Sequence, residues 1–99
     1  MSSRMNMIKS GKLLGNGAAR KVVLGYKPKK VELINITDRI SYEKMELMDA
    51  KSALKRVAAG TGTYVDAITI DSDGFTIEAA EYVSAKEYHY AAYQAENES

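Results

Sequence analysis

Lys86-Glu-Tyr-His-Tyr-Ala-Ala-Tyr93 is the stretch on which the fold of this 99-residue chain turns. By the two-residue period of a strand, Tyr88, Tyr90 and Ala92 face one way. Glu87, His89, Ala91 and Tyr93 face the other. One side can pack and the other carries charge, which predicts a half-buried β-strand rich in residues that favour a pleated surface. Just upstream, Tyr64–Ile70 and Phe75–Glu78 read as two further strands. Asp71-Ser-Asp-Gly74 joins them as a hairpin turn, with Gly74 expected to take a positive φ. Val31-Glu-Leu-Ile-Asn-Ile-Thr37 is a β-branched strand. Residues 18–26 form another, with Val22, Leu24 and Tyr26 on one face. Lys27-Pro28-Lys29-Lys30 lies between these two and predicts a hairpin with a basic tip, because Pro28 cannot donate to a ladder.

The middle of the chain supports two readings. Leu47, Ala50, Leu54, Val57 and Ala58 have helical spacing, with Gly60 as a stop, which places a short helix within 47–58. Tyr42–Leu47 alternates as a strand would. Short strands separated by turn signals predict a mainly β fold, a small antiparallel β-sandwich or barrel. Residues 1–17 contain Gly11, Gly15 and Gly17 and are expected to form an extended N-terminal arm. Residues 18–94 are then a single β-rich domain, and 95–99 an acidic tail.

Charge is distributed unevenly. The first thirty residues hold eight basic side chains and no acidic one, hence +8. The remaining sixty-nine hold six basic and thirteen acidic, hence −7. A chain with one pole of each sign is suited to lie against a charged neighbour or another copy of itself. Nucleic acid is the less favoured counterpart, since only Tyr26 lies within the basic segment to offer a stacking platform. The apolar runs are only a few residues long, too short for a membrane-spanning helix.

No catalytic signature emerges. There is no cysteine and one histidine, His89, on the Tyr-rich strand, so disulfides and thiolate metal sites are excluded and a nucleophilic triad has little to build on. Asp71–Gly74 resembles the opening of a calcium loop but lacks the closing glutamate at the twelfth position and reads better as a hairpin turn. Gly11–Gly17 does not follow the phosphate-loop order. Glu43, Glu46 and Asp49 read as a solvated face. Neither a cofactor nor a metal is expected, nor is enzymatic activity.

Three stretches in order resemble small virion structural proteins of tailed bacteriophages. They are Val23-Leu-Gly-Tyr-Lys-Pro-Lys-Lys-Val-Glu-Leu-Ile-Asn-Ile-Thr37, Ser52-Ala-Leu-Lys-Arg-Val-Ala-Ala-Gly-Thr61, and Gly74-Phe-Thr-Ile77 followed by Glu87-Tyr-His-Tyr-Ala-Ala-Tyr93. Glu81-Tyr-Val-Ser-Ala85 stands where that family shows an Asn-rich turn. The resemblance implies a β-rich fold and a place in the phage particle. The expected role is a capsid decoration or cementing protein, bound to the outer surface of the major capsid protein lattice and to copies of itself. It would be made in the bacterial cytoplasm and end in the virion.

In that reading Met5, Met7 and Ile8 anchor the arm. Arg20, Lys21, Lys27, Lys29 and Lys30 meet acidic coat surface, with avidity multiplying weak contacts. A tail or fibre module binding a host receptor or glycan is the alternative, with Tyr64, Tyr88, Tyr90 and Tyr93 as its aromatic surface. A basic nucleic-acid-binding protein is the third reading.

Overall fold

The computed structural model describes residues 8–48 and 50–94. Among these residues nine strands are formed: β1 (Ile8–Leu14), β2 (Arg20–Val23), β3 (Pro28–Asn35), β4 (Ile40–Met45), β5 (Ser52–Arg56), β6 (Gly62–Asp66), β7 (Ile68–Asp71), β8 (Gly74–Ile77) and β9 (Glu87–Gln94). A single 3-10 turn spans Ala79–Glu81. Every strand pairing is antiparallel. The strands make a six-stranded sheet in the order β1-β9-β3-β4-β5-β6 and a three-stranded sheet in the order β2-β8-β7. The mainly β, antiparallel architecture expected from the sequence is the one formed.

Alternation dictates the two faces of the large sheet. Leu33 pairs with both Tyr90 and Tyr42, and Val31 with both Ala92 and Lys44, so one row of side chains runs across three strands on the inner face. Against this face the small sheet lays Val22, Phe75, Ile77 and Ile68. All are buried, as are Leu24, Ala53, Tyr82 and Tyr88. Phe75 meets Tyr90 edge-on at 5.4 Å between ring centres, and Tyr82 meets Tyr88 at 5.1 Å. This aromatic packing supplies large buried areas to a domain with little interior volume.

The chain changes sheet four times, and two of these corners revise the expected strands. The strand expected over 64–70 is broken at fully buried Ala67, whose N–H bonds the Lys51 carbonyl at 2.9 Å and whose carbonyl accepts from Glu78 N–H at 2.7 Å. Before this corner the strand belongs to the large sheet and after it to the small one. The second corner lies at Leu24 and Gly25. Both residues donate their N–H to the Asp73 carbonyl, and Gly25 has φ 90°, a conformation glycine reaches without steric cost.

That second corner corrects the basic-tipped hairpin. β2 pairs with β8, and β3 with β4 and β9, so the two strands flanking Lys27 belong to different layers. Pro28 does not end a strand; it opens β3, buried, at a register shift in the pairing with β9. A proline is tolerated there because the ladder is already irregular.

Three further expectations are revised. The helical reading of 47–58 is not realised: residues 46–48 and 50–51 turn back from β4, and β5 begins at Ser52. Ala53 is fully buried and faces Val65, and the sheet's cross-strand packing overrides the helical spacing. Gly60 closes the β5–β6 hairpin rather than a helix, donating its N–H to the Val57 carbonyl. Residues 8–14 of the expected arm are a strand, paired along its length with β9 from Ile8–Tyr93 to Leu14–Glu87.

Gly74 does form the expected β7–β8 turn, but for another reason than φ. A Cβ built there would lie 1.9 Å from the Val22 carbonyl oxygen, so it is the close approach of β2 that requires glycine.

Candidate interaction surface

The basic side chains of the N-terminal third are mostly paired within the molecule. Lys21 Nζ lies 2.8 Å from Asp73 and 3.6 Å from Asp71. Glu46 is held between Lys29 at 2.7 Å and Lys27 at 3.4 Å. Lys30 bridges Glu43 at 3.0 Å and Glu32 at 3.3 Å. Lys12 reaches Glu87 at 3.7 Å. Lys9 donates to the Leu24 carbonyl at 2.7 Å. The opposite poles of the sequence are therefore folded onto each other.

The carboxyl groups register this pairing. Hydrogen bonding to Lys29 draws Glu46 below the ordinary carboxylate range, Lys21 does the same to Asp73, and His89 and Lys12 to Glu87. The same contacts push the Lys21 and Lys30 amines up. These pairs are solvent-exposed, so their value lies in fixing side-chain positions more than in stability.

Of the other residues expected at an interface, Met5 and Met7 lie outside the described residues. Ile8 begins β1 and is exposed at the edge of the large sheet. Arg20 opens β2, exposed, and its charge opposes the burial that raises the Tyr82 hydroxyl's pKa.

The four tyrosines separate. Tyr88 is removed from any surface role: it is fully buried, its hydroxyl donating to the Glu81 carbonyl and accepting from Val83 N–H, both at 2.8 Å. The strand alternation that placed it beside Tyr90 put it on the inner face, where the core required it. Tyr90 packs on Phe75, half-buried. Tyr93 is half-buried on the outer face, with its hydroxyl on Glu32 at 3.1 Å and Lys30 over its ring. Tyr64 is the one that projects, 69% exposed on β6.

Two features escaped the sequence reading. The first is an apolar tip at the β4–β5 turn. Leu47 is 95% exposed, and Met45 and Met48 flank it. A shallow depression lined by Lys29, Lys30, Met45, Glu46 and Leu47 lies on one side of this tip, and another lined by Leu47, Met48, Ser52 and Tyr64 on the other. The alternation of Tyr42–Leu47 was the available signal. It ends the strand at Met45 and carries Leu47 past the sheet.

The second is the half-buried polar cluster of Tyr42, Lys55 and Glu81. Tyr42 donates to Glu81 Oε1 at 2.7 Å and Lys55 Nζ approaches the same oxygen at 3.0 Å. Burial, then the Glu81 carboxylate, drives the Tyr42 hydroxyl far above its ordinary pKa, so it remains a donor. The cluster joins β4 and β5 of the large sheet to the 3-10 turn. Buried Lys44 does a similar task beneath the tip, its amine bonding the Ala50 carbonyl at 2.8 Å.

Among the described residues, no group of three or more His, Cys, Asp or Glu is placed to hold a metal ion, and no helix is long and apolar enough to cross a membrane. No protein-family model, no curated protein and no solved structure matches this chain.

Proposed function

We propose that this protein is a bacteriophage capsid-decorating protein, a non-enzymatic β-sandwich that docks on the outer surface of the coat lattice. The observation that carries this reading is the tip. A leucine 95% exposed, flanked by Met45 and by Lys29, Lys30 and Glu46, is an apolar plug with a charged rim. Buried apolar anchors ringed by polar groups dominate the energetics of protein interfaces. The resemblance of the three sequence stretches to virion structural proteins supplies the context.

The tip shifts the proposed contact. The basic residues have partners at home, so the docking centre moves from the arm to Leu47, with Ile8 and the segment before it adding a second point of attachment. Weak single contacts multiplied over a symmetric shell give firm binding.

Immunogold labelling of purified particles of the encoding phage tests the reading. Label confined to heads, together with DNA leakage on osmotic shock when the gene is deleted, is the expected result. Label on tails, or deleted particles as robust as intact ones, overturns it.

A further inference from the structure

The large sheet ends in β6, and its free edge differs from the other edges. β1 carries Lys9 and Lys12, and β2 carries Arg20 and Lys21, the charged side chains that discourage edge-to-edge pairing. β7 faces the β4–β5 turn across a depression lined by Lys44, Met48, Thr69 and Ile70. β6 reads Gly62-Thr-Tyr-Val-Asp66, with no lysine and no proline.

The ladder fixes which β6 groups point outward. Val57 N–H bonds the Thr61 carbonyl and Ala67 N–H bonds the Lys51 carbonyl. In an antiparallel pair, hydrogen-bonded and non-bonded positions alternate. Thr63 and Val65, opposite Lys55 and Ala53, are therefore the bonded positions. Gly62, Tyr64 and Asp66 direct their N–H and C=O groups away from β5, towards open solvent.

Two charges flank this edge on the outer face. Arg56 lies opposite Gly62. A Cβ built on Gly62 would meet both the Arg56 Cγ and Nη1 at 3.7 Å, so the guanidinium extends over the glycine towards the edge. Asp66 is exposed at the far end of the strand. Among the described residues neither Arg56 nor Asp66 has an ion-pair partner.

We propose that β6 pairs antiparallel with β6 of a second copy of this chain about a two-fold axis at Tyr64, joining two six-stranded sheets into one. In this register Tyr64 exchanges both backbone hydrogen bonds with its counterpart. Gly62 lies opposite Asp66 of the second copy, and Asp66 opposite its Gly62. Every outward N–H and C=O of the three residues is then satisfied.

The charges favour the same register. Arg56 and Asp66 of the second copy stand on either side of Gly62, about 10 Å apart between Cα atoms, a span that the two side chains cover. With no side chain on Gly62 to intervene, each Arg56 reaches the opposite Asp66, and symmetry makes the contact twice. Such an isologous contact is self-complementary and closes at a dimer. It stands on the edge geometry and does not depend on the assignment to a phage particle.

Sedimentation equilibrium on the full chain tests the proposal. The wild type is expected to dimerise. Tyr64→Pro removes an outward N–H that β5 does not use, so the sandwich is kept, as circular dichroism checks, and the dimer is lost. Arg56→Glu weakens dimerisation about tenfold or more, and adding Asp66→Arg restores it. A wild type that is monomeric at every concentration overturns the proposal, as does a folded Tyr64→Pro that still dimerises. Should Tyr64→Pro fail to fold, the charge exchange decides: a double variant no better than Arg56→Glu overturns it too.

Discussion

Tyr42 donates its hydroxyl to Glu81 Oε1 at 2.7 Å, tying the middle of the large sheet to the short turn that precedes β9. Replacing Tyr42 by Phe keeps the ring in the core and leaves Glu81 only its Lys55 partner. A hydrogen bond to a charged group is lost, and stability is expected to fall by about 1–2 kcal/mol. Urea unfolding checks this: the midpoint drops while the slope, set by exposed surface, is unchanged.

The tyrosines predict the alkaline limit of the fold. Tyr26, Tyr42, Tyr82 and Tyr88 have pKa values raised chiefly by burial, and Tyr93 by its bond to Glu32. The unfolded chain releases its phenolic protons near pH 10, while the folded chain holds them to higher pH. Between those two points the native state binds more protons, so stability is intact below about pH 10 and declines above it. In a pH titration, tyrosinate absorbance from the buried rings should appear together with loss of circular dichroism. Full ionisation of the tyrosines with the fold intact would contradict the burial argument. Glu46, Asp73 and Glu87 act at the other end. Their lowered values contribute stability that is present at neutral pH and lost as pH falls below about 4.

Gly74→Ala sets a methyl 1.9 Å from the Val22 carbonyl oxygen, an atom of backbone that cannot rotate away. β2 and β8 must separate to admit it, and Val22, Phe75 and Ile77 are all in the core they cover. A loss of about 3 kcal/mol, the upper range for overpacking, is expected by urea denaturation. A change below about 0.5 kcal/mol would mean that the two strands are not held at this spacing.

Leu47→Asp separates docking from folding. The side chain projects from the tip and contributes little to the core, so stability should change by no more than about 0.5 kcal/mol. Binding to particles is expected to fall sharply, since an anchor in a desolvated interface would become a charge. The paired measurement is thermal unfolding of the purified variant and its retention on particles stripped of the native protein.

The strands whose two faces differ were legible in the sequence. Val31–Thr37, Phe75–Glu78 and Lys86–Tyr93 each alternate cleanly and each forms close to its expected place. The failures lie where the chain changes layer. Local pattern shows Val22 and Val31 as two good strands but not that Gly25 sends them to opposite sheets, because pairing partners are a property of the whole core. Ala67 is equally silent: an alanine inside a β-branched run gives no hint that it is a buried corner. β5 was hidden because Leu54, Val57 and Ala58 have helical spacing, and only the partner strands choose against it. The site was less legible than the fold. Basic residues close in sequence drew attention to an arm, yet Lys21 finds its carboxylate across the distant β2–β8 pairing, and Lys27, Lys29 and Lys30 find theirs on β4 and the turn after it.

β9 lies between β1 and β3, although of the nine strands it is the last to be synthesised. While the ribosome is still making residues 87–94, the first strand has no neighbour to join and the core lacks Tyr88, Tyr90 and Ala92. The sandwich cannot therefore assemble piecemeal as it emerges. It waits for its final segment and then closes around contacts between the two ends of the chain, the arrangement associated with slow folding. A nascent chain in that interval exposes unpaired edges and apolar side chains. The incomplete chain, more than the finished fold, is the state in which this protein exposes surface that can aggregate.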